Sequence, residues 1–160
     1  MPFSPGAILP RDMNQRQWAE FAKTSGILAD RNAKTFTPEW FVSDFSSVPT
    51  DELTYLDLGH YVVLWNANAN GIGDTSLTTE MSFDGLPEEI RPRSIRTVAS
   101  PIIDNNIETF GQAAVFPAES GTGTVVFNVY RVSGATITVG AFTAANEKGL
   151  PEGWMIQYPK

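Results

Sequence analysis

Few residues of this chain have the type and spacing that catalysis needs, and His60 is the first to consider. It is the single histidine of the sequence, and histidine is the side chain whose unperturbed pKa lies closest to neutrality, so a Ser–His–Asp site would depend on it. No Gly-x-Ser-x-Gly nucleophile motif accompanies it. We therefore interpret His60 as a half-buried strand residue beside Gly59. The alternative is a metal ion bound by one such histidine from each subunit around a threefold axis.

The stretch "NANANGIGDTSL" (66–77) resembles a calcium-binding loop in its spacing, with Asn at alternate positions and Gly at the sixth. A calcium loop also needs a carboxylate at its first position and a bidentate Glu at its twelfth. This chain has Asn66 and Leu77 there. Because Asn and Gly tolerate positive φ and bond to their own backbone, the stretch predicts a turn.

Carboxylates are the remaining candidates for chemistry. Two carboxylates in one cleft can hydrolyse a glycoside, and they can be distant in sequence. The candidates are Asp57, Asp84, Asp104 and Glu108. Acidic residues in turns at strand ends are usually solvated, which gives a small hydrolase little support. Glu88 and Glu89 in "GLPEEIRP" (85–92) diverge in an extended segment and cannot act as a pair. We expect this segment to be a rigid crossover with Leu86 and Ile90 facing the core and the two glutamates facing water. The sequence therefore predicts no enzyme, no cofactor and no metal site.

Composition excludes several classes of partner. Charged residues make up 18 % of the chain and the net charge is −7, so an acidic surface repels nucleic-acid phosphates. Without cysteine, disulfides and thiolate metal sites are absent. The longest apolar run, "YVVLW" (61–65), is too short to span a membrane. No charged leader precedes an apolar stretch at the N-terminus, and we expect a protein that matures in the cytosol.

The elements that would position these residues are strands. About eight short apolar or alternating runs, separated by turn signals, predict an all-β fold, a jelly-roll-like antiparallel β-sandwich. A polar loop is expected at 66–74. The predicted strand segments are 53–59, 60–66, 76–83, 93–100, 101–111 with an Asp-Asn-Asn turn inside it, 112–117, 124–132, 135–142 and 153–160.

The first part of the chain has a different texture, so we predict two zones, an N-terminal arm with a short helix at 1–50 and the β-sandwich at 51–160. The stretch "MPFSPGAILP" (1–10) contains three prolines, which favour an extended arm over a helix or strand. Its large apolar residues need a surface to bury them. They are Phe3, Ile8 and Leu9.

One α-helix is predicted over 12–23, "DMNQRQWAEFAK". Trp18 and Phe21 lie on one side of it and form a narrow apolar stripe, which predicts docking by a single face. Residues 35–49 fit either a short helix beginning at Pro38 or an extended strand.

Large aromatic residues offer a second kind of site. Tyr61, Trp65 and Trp154 could stack against sugar rings or line a subunit interface. The alternative is that they fill the sandwich core, which the apolar strand patterns around them favour.

Three short motifs in the β zone carry a resemblance. They are "LPEEIRP" (86–92) between two strands, "GTVVFNV" (123–129) in a late strand, and the aromatic-containing end "WMIQY" (154–158). With them, residues 53–160 resemble the jelly-roll β-sandwich modules of tailed-bacteriophage virion proteins. These include head decoration (cement) proteins, head fibres, tail-needle and tail-fibre knobs, and baseplate receptor-binding heads. The resemblance implies a homotrimer around a threefold axis with no enzymatic activity.

The N-terminal zone decides between these virion roles. A fibre or needle knob normally follows a stalk of heptads or collagen-like repeats, and this sequence has neither. A Pro-rich arm with apolar residues favours a capsid decoration protein that is assembled in the host cytoplasm and binds the major capsid protein or other virion proteins. Phe3, Ile8 and Leu9 are the expected attachment contacts, with Trp18 and Phe21 as helix anchors. The alternative is a receptor- or glycan-binding head of a tail fibre, spike or needle.

Overall fold

Strands make up nearly all the regular structure of the residues that the structure describes. The computed structural model describes residues 33–41, 47–117 and 123–160, and a 3₁₀ turn at Glu88–Ile90 is the single helical element within those ranges. The predicted all-β class is confirmed, with twelve strands rather than the expected number of about eight. The strands are β1 (Lys34–Phe36), β2 (Glu39–Phe41), β3 (Leu53–Asp57), β4 (Tyr61–Trp65), β5 (Ile72–Thr75), β6 (Met81–Asp84), β7 (Arg96–Asp104), β8 (Ile107–Val115), β9 (Val125–Ser133), β10 (Thr136–Gly140), β11 (Glu147–Leu150) and β12 (Met155–Pro159).

The strands form two antiparallel sheets with a sandwich-like arrangement. The small sheet has the order β1-β3-β4-β12, and the large sheet has the order β2-β6-β9-β8-β7-β11-β5. β10 lies off this path and pairs with the far half of β9. β6 pairs with the near half of the same strand. No helix in the described ranges is long and apolar enough to cross a membrane.

The hydrophobic core lies between the two sheets, and aromatic rings join them. Phe83 of the large sheet is fully buried. Its ring centroid lies 5.2 Å from that of Trp40, 5.9 Å from that of Phe127 and 6.2 Å from that of Phe36, which belongs to the small sheet. Edge-on and tilted aromatic contacts of this kind add to the burial of apolar area. The core therefore depends on Phe83 as its central contact.

Two hairpins form the middle of the large sheet. β7 and β8 pair over their whole lengths, and the turn between them has positive φ at Asn105 (56°) and Asn106 (62°), as a type I′ hairpin requires. The predicted Asp-Asn-Asn turn is confirmed. The predicted break before Pro101 is wrong, because β7 continues through it. One edge of β7 is unpaired at that position, since β11 pairs only with Ile103 and Asp104, and proline is tolerated there.

Two strands arise where the sequence predicted none. β5 falls partly within the expected loop at 66–74, and β11 has the polar sequence EKGL. They pair through Gly73 and Gly149, and a Cβ on Gly73 would lie 2.3 Å from the carbonyl oxygen of Lys148. Because these strands depend on a glycine pair rather than on alternating side chains, hydrophobic periodicity does not reveal them.

The segment "GLPEEIRP" links β6 to β7 as a crossover. Leu86 and Ile90 are fully buried, as predicted. The hydroxyl of Tyr158 donates a hydrogen bond of 3.0 Å to the carbonyl oxygen of Ile90. The crossover is therefore attached to the last strand of the small sheet.

The strand alternative is confirmed for the described part of 35–49. β1 pairs with β3 and β2 with β6, so both join the sandwich, and both belong to the compact unit Lys34–Lys160. The predicted arm at 1–10 and helix at 12–23 lie outside the described residues. The predicted division at residue 50 stays a prediction.

Replacing Phe83 by Ala is expected to lower the free energy of unfolding by about 3–5 kcal/mol, because it removes a buried ring and leaves a cavity between the sheets. Urea unfolding followed by circular dichroism measures this change. Phe41→Ala is the control, since that ring is 57 % exposed and its loss should cost at most about 0.5 kcal/mol. Equal losses in the two variants would show that the core does not centre on Phe83.

Candidate functional site

The β9–β10 hairpin runs beyond the core of the sandwich. Every residue from 131 to 139 is exposed, whereas Val125, Phe127 and Val129 in the first half of β9 are buried. The turn of the hairpin contains Gly134 with φ at 60°, which suits the first position of a type II′ turn. The hairpin is thus exposed on both of its faces.

The two faces of the hairpin differ in character. Side chains alternate along a strand, so Tyr130 and Val132 point away from the side that Val129 buries. In the β9–β10 ladder Val132 pairs with Ile137 and Tyr130 with Val139, and directly paired residues share a face. The opposite face is polar and carries Arg131, Ser133, Thr136 and Thr138. The apolar side of this hairpin therefore faces away from the core of its own chain.

Phe110 of β8 extends this apolar surface. Toward the hairpin, the β8–β9 ladder ends at Gly111, which pairs with Val129. Gly111 and Val129 point inward, so the preceding Phe110 lies on the outward side. We call this surface the hairpin face and define it by five residues. They are Phe110 (65 % exposed), Val132 (72 %), Ile137 (66 %), Val139 (51 %) and the half-buried Tyr130.

A buried carboxylate fixes the base of the hairpin. Asp104, at the end of β7, is 5 % exposed. Its Oδ2 accepts hydrogen bonds from Arg131 Nη2 (3.0 Å) and Thr143 Oγ1 (2.9 Å), and its Oδ1 accepts one from the Thr143 backbone N–H (2.8 Å). Arg131 Nη2 also donates to the carbonyl oxygen of Ala141 at 2.7 Å. Asp104 thereby connects β7 with β9 and with the loop that follows β10.

Lys148 of β11 lies next to this carboxylate. It pairs with Asp104 in the β7–β11 ladder and is fully buried. Its Nζ donates to the carbonyl oxygens of Ser76 and, at 3.3 Å, Ala145. Desolvation lowers the pKa of this ammonium group, while the charge of Asp104 acts in the opposite direction. Sequence reasoning missed Lys148, because a lysine in a polar stretch is ordinarily solvated.

A second polar network covers the crossover at the small sheet. Glu89 Oε1 accepts hydrogen bonds from Tyr55 Oη (2.7 Å) and Lys34 Nζ (2.9 Å). These bonds from Lys34 and Tyr55 lower the pKa of Glu89 to about 2. Burial and the neighbouring carboxylate raise the pKa of Tyr55 to about 12. The prediction that Glu89 faces water is confirmed, and the structure adds that it anchors two strands.

The aromatic candidates for a glycan or subunit contact separate into two groups. Tyr61 is 49 % exposed and Trp65 is half-buried, and both lie on the outer side of β4. Trp154 is fully buried, donates from Nε1 to Ser100 Oγ at 2.9 Å and contacts Phe127 edge-on. The ring of Trp154 is therefore part of the core and is not accessible to a sugar. The predicted attachment residues lie outside the described residues. They are Phe3, Ile8, Leu9, Trp18 and Phe21.

His60 is exposed rather than half-buried, because it lies in the bend before β4. Its carbonyl oxygen accepts the Lys160 N–H at 2.9 Å. In the loop after β4, Asn66 Oδ1 accepts the Asn68 N–H at 3.0 Å, which fits the predicted turn, whereas β5 begins at Ile72 within the same stretch. Within the described ranges no group of three or more His, Cys, Asp or Glu side chains is placed to hold a metal ion.

Three of the four carboxylates considered for hydrolysis are engaged elsewhere in the fold. Asp57 forms an ion pair with Lys160 at 2.6 Å and accepts the Gly59 N–H at 2.8 Å. Asp84 accepts a hydrogen bond from Thr124, and Asp104 fixes the hairpin as described.

Comparison of this chain with protein-family models, with curated proteins and with solved structures finds no match. The arrangement that the residues themselves offer is the hairpin face, an apolar surface on a sheet that is held in place by the ion pair between the buried Asp104 and the exposed Arg131. Such a surface is suited to contact with another protein rather than to chemistry on a small molecule.

Replacing Tyr55 by Phe is expected to raise the pKa of Glu89 from about 2, because the substitution removes one of the donors to its carboxylate. Carboxyl titration by NMR measures this pKa. Tyr130→Phe, in the large sheet, is the control and should leave it unchanged. An unchanged Glu89 pKa in Tyr55→Phe would contradict the assigned hydrogen bond.

The sign of the accompanying pH dependence follows from the lowered pKa. As pH falls below 4.5, the usual value, the unfolded chain takes up the proton before the folded chain does, so the stability that Glu89 contributes is lost toward pH 2. The side chain of Glu89 is 44 % exposed, which limits this contribution to less than about 1 kcal/mol. In Glu89→Gln this part of the acid dependence should disappear.

Proposed function

We propose that this protein is a non-enzymatic structural protein of a tailed-phage virion, a homotrimeric capsid decoration (cement) protein that binds the head and stabilises it. The observation that supports this most is the hairpin face. Monomeric proteins rarely expose contiguous apolar surface, and where they do it usually marks a contact with a protein or membrane. A chain whose most distinctive surface is an apolar sheet face fits an assembly role.

The fold is compatible with the proposed module. Two antiparallel sheets enclose one core, the "LPEEIRP" crossover joins two strands, β9 is the longest late strand, and the aromatic-containing β12 comes last. We include in the proposal the finer features that the module implies, a jelly-roll connectivity of the sandwich and an α-helix at 12–23. The jelly-roll connectivity is compatible with the antiparallel pairing of the strands. The helix lies outside the described residues.

Attachment to the shell is assigned to the N-terminal arm in this proposal. Phe3, Ile8 and Leu9 would bury apolar area against the major capsid protein or another virion protein, and Trp18 with Phe21 would anchor the helix. An extended, Pro-rich segment binds by lying along a surface and gains order as it does so. The net charge of −7 is compatible with a position on the outside of the shell, where the packaged nucleic acid offers no partner.

A receptor- or glycan-binding head of a tail fibre, spike or needle is the second candidate. It is favoured by Tyr61 and Trp65, which lie on the same outer side of β4 and four residues apart, about 13 Å along the strand. Two aromatic rings at this spacing can stack against two sugar residues. A glycan array tests this function. Binding that is lost in Trp65→Ala would favour it over decoration, and silence of the array would remove it.

Deleting residues 1–10 is expected to weaken binding to capsid shells by at least about 10-fold, because it removes the three apolar contacts of the arm. The midpoint of thermal unfolding should change little. Co-sedimentation with shells of the parent virus that lack this protein measures the binding, and circular dichroism measures the midpoint.

A matched pair of variants separates loss of contacts from loss of chain length. The triple change of Phe3, Ile8 and Leu9 to Ser keeps the arm and should weaken binding like the deletion. Leu77→Ser removes an apolar side chain that is 68 % exposed in the sandwich and should leave binding intact. Normal decoration of shells by the deletion variant would overturn the role of the arm, and a full-length chain that ignores the shells would overturn the proposed function.

A further inference from the structure

The residues of the hairpin face lie in two rows, and β7 extends each row, so that each runs across four strands. In the first row Pro101 of β7 pairs with Phe110 of β8, and Tyr130 of β9 pairs with Val139 of β10. Phe110 lies one residue beyond the last pair of the β8–β9 ladder, Gly111 with Val129, and this brings it next to Tyr130. Four large side chains thus lie side by side on the outward surface.

The second row repeats this arrangement closer to the hairpin tip. Ile103 pairs with Glu108 in the β7–β8 ladder, and Val132 pairs with Ile137 in the β9–β10 ladder. Three of these four side chains are apolar. The two rows together form one apolar field rather than scattered exposed residues, and it is this contiguity that marks an interaction surface.

The size of this sheet face is of the same order as one side of a protein–protein interface. Three strands of nine residues (β7, β8 and β9) and one of five (β10), spaced about 4.8 Å apart with about 3.4 Å per residue, present roughly 500 Å². A stable complex buries on the order of 800 Å² per partner. Gln112 and Asn128, which pair in the β8–β9 ladder, form an uncharged polar row beside the apolar rows, and interface rims are typically polar.

The scarcity of charged residues at the hairpin face suits a partner that is itself acidic. Residues 132–146 contain no charged residue, although the chain as a whole carries a net charge of −7. Glu108 is the one charged side chain within the two rows. A second copy has the same negative charge and can approach closely only where charges are sparse. The hairpin face is such a place, and an apolar patch that lies at a symmetry axis meets its own copies there.

The free edge of β10 also calls for a permanent partner. Among the described strands β10 pairs only with β9, so its other edge presents unpaired backbone groups. Its sequence TITVG contains no Lys, Pro or acidic residue, and these are the residues that usually protect an edge from unwanted pairing. A second copy that covers the hairpin face also shields this edge at all times.

We infer that the hairpin faces of three copies of this chain pack against one another at the threefold axis of the proposed trimer. This inference rests on the homo-oligomer in the proposed function and names its surface. The copies bury Phe110, Val132 and Ile137 around a symmetry axis. Asp104 and Arg131 hold the hairpin in the position that this contact requires.

Light scattering coupled to size-exclusion chromatography tests the inference with the full chain. The wild type should elute as an oligomer with a mass that is a multiple of 17.5 kDa. Ile137→Glu and Phe110→Glu place a carboxylate against its own symmetry copy and should raise the dissociation constant at least about 100-fold. Met155→Glu is the control, because Met155 is also an exposed strand residue (57 %) but belongs to the small sheet. The control should remain an oligomer.

Two results would overturn the inference. One is a wild type that remains a monomer up to about millimolar concentration, where even weak association is measurable. The other is an oligomer that persists in Ile137→Glu and Phe110→Glu. Phe110→Ser, which adds no charge, replaces either variant if circular dichroism shows that it does not fold, and its persistence as an oligomer would overturn the inference equally.

Binding to shells distinguishes this inference from the proposed function. A wild type that associates through the hairpin face but ignores shells would support the inference and contradict the decoration role. An oligomer insensitive to the hairpin variants that still binds shells would do the reverse.

Discussion

The position of the β9–β10 hairpin on the large sheet depends on the hydrogen bonds of the Asp104 carboxylate. A buried carboxylate is costly unless donors surround it, and here Arg131 and Thr143 supply three hydrogen bonds. These donors come from β9 and from the loop after β10. The cost of burying the charge is therefore offset only when the hairpin takes one position relative to β7.

Arg131 explains how one strand can serve two environments. The inward side of β9 is apolar up to Val129 and then changes to an arginine, whose guanidinium reaches back to Asp104. From that residue on, the side of the hairpin that continues the core is polar, and the apolar residues are on the other side. The strand keeps its alternation and its hydrogen bonds to β10, but beyond Val129 its apolar side chains lie on the face opposite to the core.

Much of this architecture could be predicted from the sequence, because alternation and turn residues act locally. The strands β3, β4, β9 and β12, the Asn105–Asn106 turn and the buried Leu86 and Ile90 all follow from local patterns. The pairing of Gly73 with Gly149 did not follow, since it depends on contact between residues distant in sequence. Neither did the burial of Lys148, which depends on partners in other strands.

The hairpin face could not be predicted from the sequence for the same reason. Val132, Ile137 and Val139 fit a core strand as well as an exposed one, because alternation shows that a strand has two sides but not which side faces the core. The hydrogen bond from Arg131 to Asp104 decides which side of the hairpin is apolar and exposed. These two residues are far apart in the chain. The sequence offered Tyr61, Trp65 and Trp154 instead, and of these Trp154 lies in the sandwich core, as the strand patterns around it favoured.

The division of one edge of β9 between two strands has a consequence for the timescale of assembly. β6 pairs with the half that packs in the core, and β10 pairs with the half that does not. The hydrogen bonds between β9 and β10 can therefore open without breaking the β6–β9 ladder, at a smaller free energy than global unfolding. In the proposed oligomer, exchange of copies would then be governed by this local opening, and each copy would remain folded while it is replaced.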